Sequence, residues 1–259
     1  MMKERTLRVL EFTKIRDRLA SKAMTDMGRE RCEALVPSSN ITDIQRMQAE
    51  TEEATVILQY VGASPLVPFS DVRASLTLAE KGATLSPKAL LEVAALMQSA
   101  RAARKALDTE RDNTPILKEL AQRLSTLHNV EQDITNAIIS EDEIADRASN
   151  ELMDIRRHLR GANERIKEKL NQMIRSSAFQ KYLQDPIVTM RNDRYCLPVK
   201  AEYRGSVPGL VHDQSSTGAT LFIEPMAAVE MGNELKTWAA KEKQEIERIL
   251  AALSAEIAP

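Results

Sequence analysis

Cysteine, histidine, glycine and aromatic residues are all scarce in this chain of 259 residues. The two cysteines, Cys32 and Cys196, cannot build a disulfide framework. With histidines only at 128, 158 and 212, no Cys/His spacing of a zinc site exists. Net charge is also small: 36 basic against 38 acidic side chains leaves −2, so any basic surface must be local. Apolar runs such as Val93–Met97 stay far below the ~18 residues needed to span a bilayer. The start, Met1-Met2-Lys3-Glu4-Arg5, has no signal-peptide core, so a cytoplasmic location without membrane contact is expected.

The chain does have 43% apolar and 29% charged residues, the balance of a globular protein and not of a disordered one. Its length fits one large or two modest domains. The scarce residues are also unevenly placed. Gly205, Gly209 and Gly218 fall close together, and Phe179, Tyr182, Tyr195, Tyr203 and Phe222 lie in one short stretch. The region from about 185 to 225 therefore differs from the rest.

Most of the chain reads as helix. Leu7, Leu10, Ile15 and Leu19 predict two short helices over 6–35. Pro37 and Ser38-Ser39-Asn40 stop them and offer an N-cap. Ile41, Ile44, Met47, Thr51, Ala54, Leu58 and Val61, spaced by three and four, predict an amphipathic helix over 41–61. A loop follows over 62–68. Ser86-Pro87 joins an N-cap to proline at the first helical position and opens a helix to about Leu107; another covers 114–128.

The segment 131–184 has no proline and a single glycine, Gly161. Ile144, Ala148, Leu152, Ile155, Leu159, Ala162, Ile166, Leu170 and Met173 form a seam with gaps of three and four. The pattern predicts one continuous helix from Glu143 to Gln184, ending at Asp185-Pro186. Strands are then expected over 187–191, 195–199, 207–211 and 219–223. Asn192-Asp193 suits a tight turn, and Pro198 suggests an edge or a bulge. From Pro225 a last helix runs to about Ile257 with an apolar stripe of its own. The economical arrangement is mainly α: a helical core, a long antiparallel two-helix arm, and a small four-stranded antiparallel sheet at its tip. The domains expected are 1–130 for the core, 131–184 with 226–259 for the arm, and 185–225 for the sheet.

Charge is partitioned along the arm. Residues 131–154 hold eight acids and one base, Arg147. Residues 155–181 hold Arg156, Arg157, Arg160, Arg165, Lys167, Lys169, Arg175 and Lys181 against Glu164 and Glu168. The sheet adds Arg191, Arg194, Lys200 and Arg204. Segregation of this kind points to phosphate contact, which positions a nucleic acid without reading its sequence. These twelve residues are the candidate nucleic-acid-binding set. No aromatic residue is interleaved with the bases on the helix, so base stacking is not expected there. The competing reading is a solvated helix face.

Catalytic signals are absent. No G-x-x-x-x-G-K-[ST] phosphate loop occurs. His212, Asp213 and Ser215 supply the residue types of a hydrolase triad, but near neighbours on a strand point to opposite faces. The loop 212–218 offers backbone N–H groups to a phosphate, or serves as a plain turn. Cys196 and Cys32 read as packed thiols and Trp238 as a packing residue. No catalytic, cofactor-binding or metal-binding residue is therefore assigned in this chain.

Three stretches together resemble one family. They are Thr189-Met-Arg-Asn-Asp-Arg-Tyr-Cys-Leu-Pro-Val-Lys200, Glu202-Tyr-Arg-Gly205, and Gly209 through Pro225 with His-Asp-Gln-Ser-Ser-Thr-Gly at its centre. This pattern is similar to the clamp of bacterial MutS paralogues of the second type. Leu10-Glu-Phe-Thr-Lys-Ile-Arg16, Ala79-Glu-Lys-Gly82 and Leu85-Ser-Pro87 also resemble that family. The resemblance implies a MutS-like ATPase with a helical core, two lever helices and a β clamp, lacking the mismatch-reading and connector domains. It implies dimerisation mainly through an ATPase domain that uses ATP and Mg, and in many members a C-terminal nuclease domain. It implies roles in suppressing recombination at branched DNA and in rescuing collided ribosomes. The chain stops at Pro259, so it reads as an N-terminal core-and-clamp fragment whose ATPase and nuclease parts lie beyond it. Expected partners are DNA or the ribosome and a second copy; the alternative is an assembly module with no nucleic-acid contact. Phe222-Ile-Glu224 shares its letters with the Phe-x-Glu of mismatch readers, and its place at a strand end marks this as coincidence.

Overall fold

A computed structural model describes residues 4–62, 66–108 and 114–258. Contacts divide them into two units: one runs up to Ala145 and takes in the residues from Leu250 onward, and the other is Asp146–Ile249.

The first unit opens with three short helices, α1 (Glu4–Val9), α2 (Phe12–Ala20) and α3 (Asp26–Glu33), where two were expected. Glu11 in the left-handed region (φ 54°) separates α1 from α2. The helix α4 (Ile41–Val61) has its predicted bounds because Asn40 Oδ1 accepts the Thr42 N–H at 3.0 Å and Gly62 takes the left-handed terminal position. Of the loop predicted over 62–68, residues 63–65 lie outside the described residues. A helix that the periodicity did not suggest, α5 (Arg73–Glu80), follows. The helix α6 (Pro87–Leu107) starts on the predicted cap: Ser86 Oγ accepts the Ala89 N–H. The helix expected over 114–128 is instead α7 (Pro115–Gln122), with α8 (His128–Ala137) beginning after a break. The buried carboxylate of Glu53 accepts the Ile116 and Leu117 N–H groups, capping α7 from α4. Leu90, Val93 and Ile134 centre this core. A short hairpin, β1 (Ile138–Ser140) and β2 (Glu143–Ile144), buries Ile138 against Ile144.

The second unit corrects the longest helix. In place of one helix over 143–184 there is α9 (Asn150–Arg175), 26 residues and about 39 Å long, then one turn, α10 (Ser177–Gln180). Two serines set the limits. Ser149 Oγ caps the start by accepting the Leu152 N–H at 2.9 Å. Ser176 leaves the helix in extended geometry (ψ 118°). Seam periodicity carries no information about such ends, and Ile144 is used in the hairpin instead.

Strands β3 (Thr189–Arg191), β4 (Arg194–Lys200), β5 (Gly209–Gln214) and β6 (Thr220–Pro225) pair antiparallel in the order β3-β4-β6-β5. Asn192 and Asp193 both adopt positive φ, 49° and 59°, making the tight turn of the first hairpin. Pro198 does not mark an edge: it is buried in the central strand β4, opposite Phe222. It is tolerated because its carbonyl side faces Gln184, whose N–H it accepts at 2.8 Å, beyond the end of β3. The last helix, α11 (Met226–Glu256), leaves β6 directly.

The sheet packs on the C-terminal half of α9 and the first turns of α11. Ile166 and Leu170 meet Leu197, Val199, Ile223 and Ala228, all buried, with Phe179, Tyr182 and Tyr203 around them. The clustered aromatics thus supply much of this small core. Among the described residues no helix is long and apolar enough to cross a membrane.

Candidate nucleic-acid interface

Within the second unit α9 and α11 run antiparallel, because their cross-contacts descend along one helix as they rise along the other. Ser149 Oγ donates to Glu245 Oε1 at 2.6 Å, Arg156 Nε to Glu242 Oε1 at 2.6 Å, and Arg165 Nη2 to Glu234 Oε1 at 3.0 Å. Between these rungs the His158 ring stacks on Trp238 with centroids 4.3 Å apart, and Lys241 lies over the indole's ring. Trp238 is therefore a packing residue between the two helices.

Two of the candidate cations, Arg156 and Arg165, are taken up by this pairing, and Arg157 and Arg160 by carboxylates on or just before α9. Arg156 is mostly buried; besides Glu242 it reaches Asp146 Oδ1 at 2.6 Å, and Arg160 takes Oδ2 of the same carboxylate at 3.1 Å. Hydrogen bonds from Arg156 and then Arg160 hold the Asp146 carboxyl below the usual aspartate range. Burial opposes charge on Arg156, yet its bonds to Glu242 and Asp146 outweigh that and raise its pKa. Arg157 pairs with Asp154 at 3.2 Å and Arg165 with Glu234. The acidic segment before α9 is thus partly a counter-ion set for the start of α9.

The sheet's cations are also engaged. Arg191 Nε reaches Asp213 at 3.2 Å, and its guanidinium lies over the Phe222 ring at 4.0 Å. Arg204 donates to the Val207 and Gly209 carbonyls. Arg194 donates from Nη1 to Glu224 Oε1 at 3.1 Å and from Nη2 to Asn233 at 2.7 Å. Glu224, fully buried, takes its other bond from His212 Nε2 at 2.8 Å. Two glycines make room for this cluster. A β-carbon at Gly232 would lie 2.5 Å from Glu224 Oε1, and one at Gly209 would lie 2.2 Å from the Glu224 carbonyl oxygen.

Five candidates remain: Lys167, Lys169, Arg175, Lys181 and Lys200 form no ion pair with any described residue. The first four are exposed and Lys200 is half-buried. Lys167 and Lys169, two apart, point to opposite flanks of α9. Lys167 and Lys181 lie over the Tyr195 and Tyr182 rings, 5.9 and 4.9 Å from the centroids. Tyr182 in turn meets Tyr203 at 5.4 Å. The helix lacks an aromatic platform, but where α9 gives way to the sheet, cations and rings do alternate.

The triad residue types do not assemble. His212 turns to Glu224 and Asp213 to Arg191, while Ser215 Oγ accepts the Thr220 N–H in a turn closed by Gly218 at φ 72°. Among the described residues no three His, Cys, Asp or Glu side chains group as metal ligands. In the sequence Glu224 stands out only through its chance Phe-x-Glu letters at a strand end, with no role; its burial depends on strand register and on Gly232.

No protein-family model matches the chain. It is similar to curated relatives described as Endonuclease MutS2. It is 46% identical over 261 residues to that of Acetivibrio thermocellus, 48% over 259 to that of Alkaliphilus oremlandii and 48% over 257 to that of Symbiobacterium thermophilum. Each match takes in 99% of this chain, which spans only about a third of the relatives' length (33%, 33% and 32%).

Proposed function

We propose that this chain, 46–48% identical along nearly its whole length to relatives described as Endonuclease MutS2, is the core-and-clamp portion of a MutS-like ATPase and endonuclease that engages nucleic acid. In this reading residues 131–184 and 226–259 act as levers and 185–225 as the clamp. The ATPase and nuclease centres, with ATP and Mg, belong to the part of the protein outside this chain. The polyanion is branched or duplex DNA, or the RNA of a collided ribosome, and the whole protein works as a homodimer in the cytoplasm.

One observation carries the reading. After the paired arginines are set aside, Lys167, Lys169, Arg175, Lys181 and Lys200 remain without a described carboxylate partner, with Lys167 over the Tyr195 ring of β4 and Lys181 over the Tyr182 ring. Cations left solvated in this way cost little to bring onto phosphate, because no internal ion pair is broken. The test is binding of duplex, branched DNA and ribosomes as salt is varied. Each of Lys167→Ala, Lys169→Ala, Arg175→Ala and Lys181→Ala should lower the salt slope by up to ~0.9. Affinity that ignores salt, or a slope unchanged in the fourfold variant, overturns phosphate contact.

A second reading, an assembly module, is favoured by apolar side chains on both edge strands. Met190 on β3 and Leu210 on β5 are each about half exposed, at 50% and 49%. Sedimentation at several concentrations distinguishes the two: a stable oligomer without polyanion affinity supports the second.

A further inference from the structure

The tyrosines around the sheet's core are not equivalent. Tyr195 donates its hydroxyl to Asn163 Oδ1 at 2.9 Å and is fixed to α9. Tyr182 and Tyr203 are half-buried, with ring centroids 5.4 Å apart, and Phe179 meets Tyr182 edge-on at 5.9 Å. Their hydroxyls bond to no described residue, and neither belongs to the buried polar atoms left without a partner, so both reach water. Lys181 Nζ stands over the Tyr182 ring, 4.9 Å from its centroid. Lys181 is exposed, so that face of the ring is covered by a solvated side chain and not by the core.

Two stretches of chain bring these groups together. The Lys200 N–H donates to the Tyr182 carbonyl at 3.0 Å, and Leu183 bridges Val199 beside it. Lys200 ends β4, and Tyr203 follows three residues on, in the tight helical turns over Ala201–Ser206. A ring face held only by a lysine, with a second lysine close by along the backbone, supplies the two parts of a single-strand site: a stacking surface and ligands for phosphate.

Resting on the nucleic-acid reading above, we propose that Lys181, Tyr182, Lys200 and Tyr203 form a site for unpaired bases of a single-stranded polynucleotide, DNA or RNA. A base stacks on the Tyr182 ring in place of the Lys181 chain, and the displaced ammonium takes an adjacent phosphate. The exchange is favourable, because a cation over an exposed ring is held weakly and a base stacks on an aromatic ring more strongly. A paired base inside a duplex has no free face to offer, so a duplex meets only the lysines.

The test is binding of the full-length protein, without added nucleotide or metal, to strands of about ten nucleotides, as DNA and as RNA, each carrying one 2-aminopurine. Stacking quenches this base, so its emission should fall on binding. Tyr182→Phe should keep the quenching. Tyr182→Leu and Tyr203→Leu should lose it and weaken single-strand binding about ten-fold, with duplex affinity unchanged. The arm, DNA or RNA, that shows this identifies the source of the strand. If the leucine variants do not fold, the wild-type protein decides alone: abasic strands keep every phosphate and should bind about ten-fold more weakly. Equal affinity for abasic and base-bearing strands, or quenching that survives both leucine changes, overturns the proposal. Salt-dependent binding without such discrimination defeats this proposal alone, whereas no salt-dependent binding at all defeats the nucleic-acid reading with it.

Discussion

Arg194 and Glu224, on neighbouring strands β4 and β6, form an ion pair at 3.1 Å in which the carboxylate has no solvent exposure. The pair joins sheet to helix, because Arg194 also reaches Asn233 on α11 and Glu224 also holds His212 on β5.

Removing one partner strands the other. Glu224→Ala removes the acceptor shared by Arg194 and His212, both mostly buried, and leaves Arg194 only Asn233; the expected loss is about 3 kcal/mol. Gly232→Ala leaves both charges but drives a methyl to 2.5 Å from Glu224 Oε1 and 2.9 Å from Arg194 Nη1. A loss of about 1–3 kcal/mol follows from overpacking. Urea unfolding of each variant measures both; wild-type midpoints would show that the cluster contributes nothing.

Arg156 is expected to act on stability. It bonds both Asp146 and Glu242, so Arg156→Ala leaves Glu242 without this donor and Asp146 with Arg160. The melting temperature should fall, while the salt slope of nucleic-acid binding stays within error of wild type. Lys181→Ala should show the opposite pattern. A slope that drops in Arg156→Ala with no loss of stability would reverse this assignment.

Acid should weaken the contacts of Glu245 on α11. The Glu245 carboxyl lies below its ordinary value of 4.5 chiefly because Arg248 donates to it, with Ser149 also donating and burial opposing. Its folded value is depressed. Its stabilising contribution is therefore complete above 4.5 and disappears as pH falls through the lower folded value. Glu245→Gln should flatten the stability–pH curve below pH 4.5 and leave the neutral range sloped as before. Thermal melts across that range provide the measurement.

The two thiols should differ in reactivity. Burial, reinforced by the nearby Glu224 charge, pushes the Cys196 thiol up to about 11. Cys32 is only partly buried. Alkylation at pH 8 should therefore modify Cys32 in the native protein and reach Cys196 only on unfolding. Mass spectrometry of the alkylated peptides decides it; prompt labelling of Cys196 would mean that the sheet opens readily.

Local pattern settled what depends on near neighbours in the chain. The bounds of α4 and α6 follow from Asn40, Ser86 and Pro87, and the first hairpin from Asn192-Asp193, because caps and tight turns are closed by residues two to four apart. The mainly helical class and the small antiparallel sheet were legible for the same reason. Tertiary structure alone decided which cations are spent internally. Arg156 meets Glu242, Arg165 meets Glu234 and Arg194 meets Glu224 across 30 to 86 intervening steps of chain. Charge counts along a sequence cannot show which counter-ion the fold brings into hydrogen-bond range. The burial of Glu224 has the same cause: it depends on strand register and on Gly232 of α11, which only the folded chain brings together.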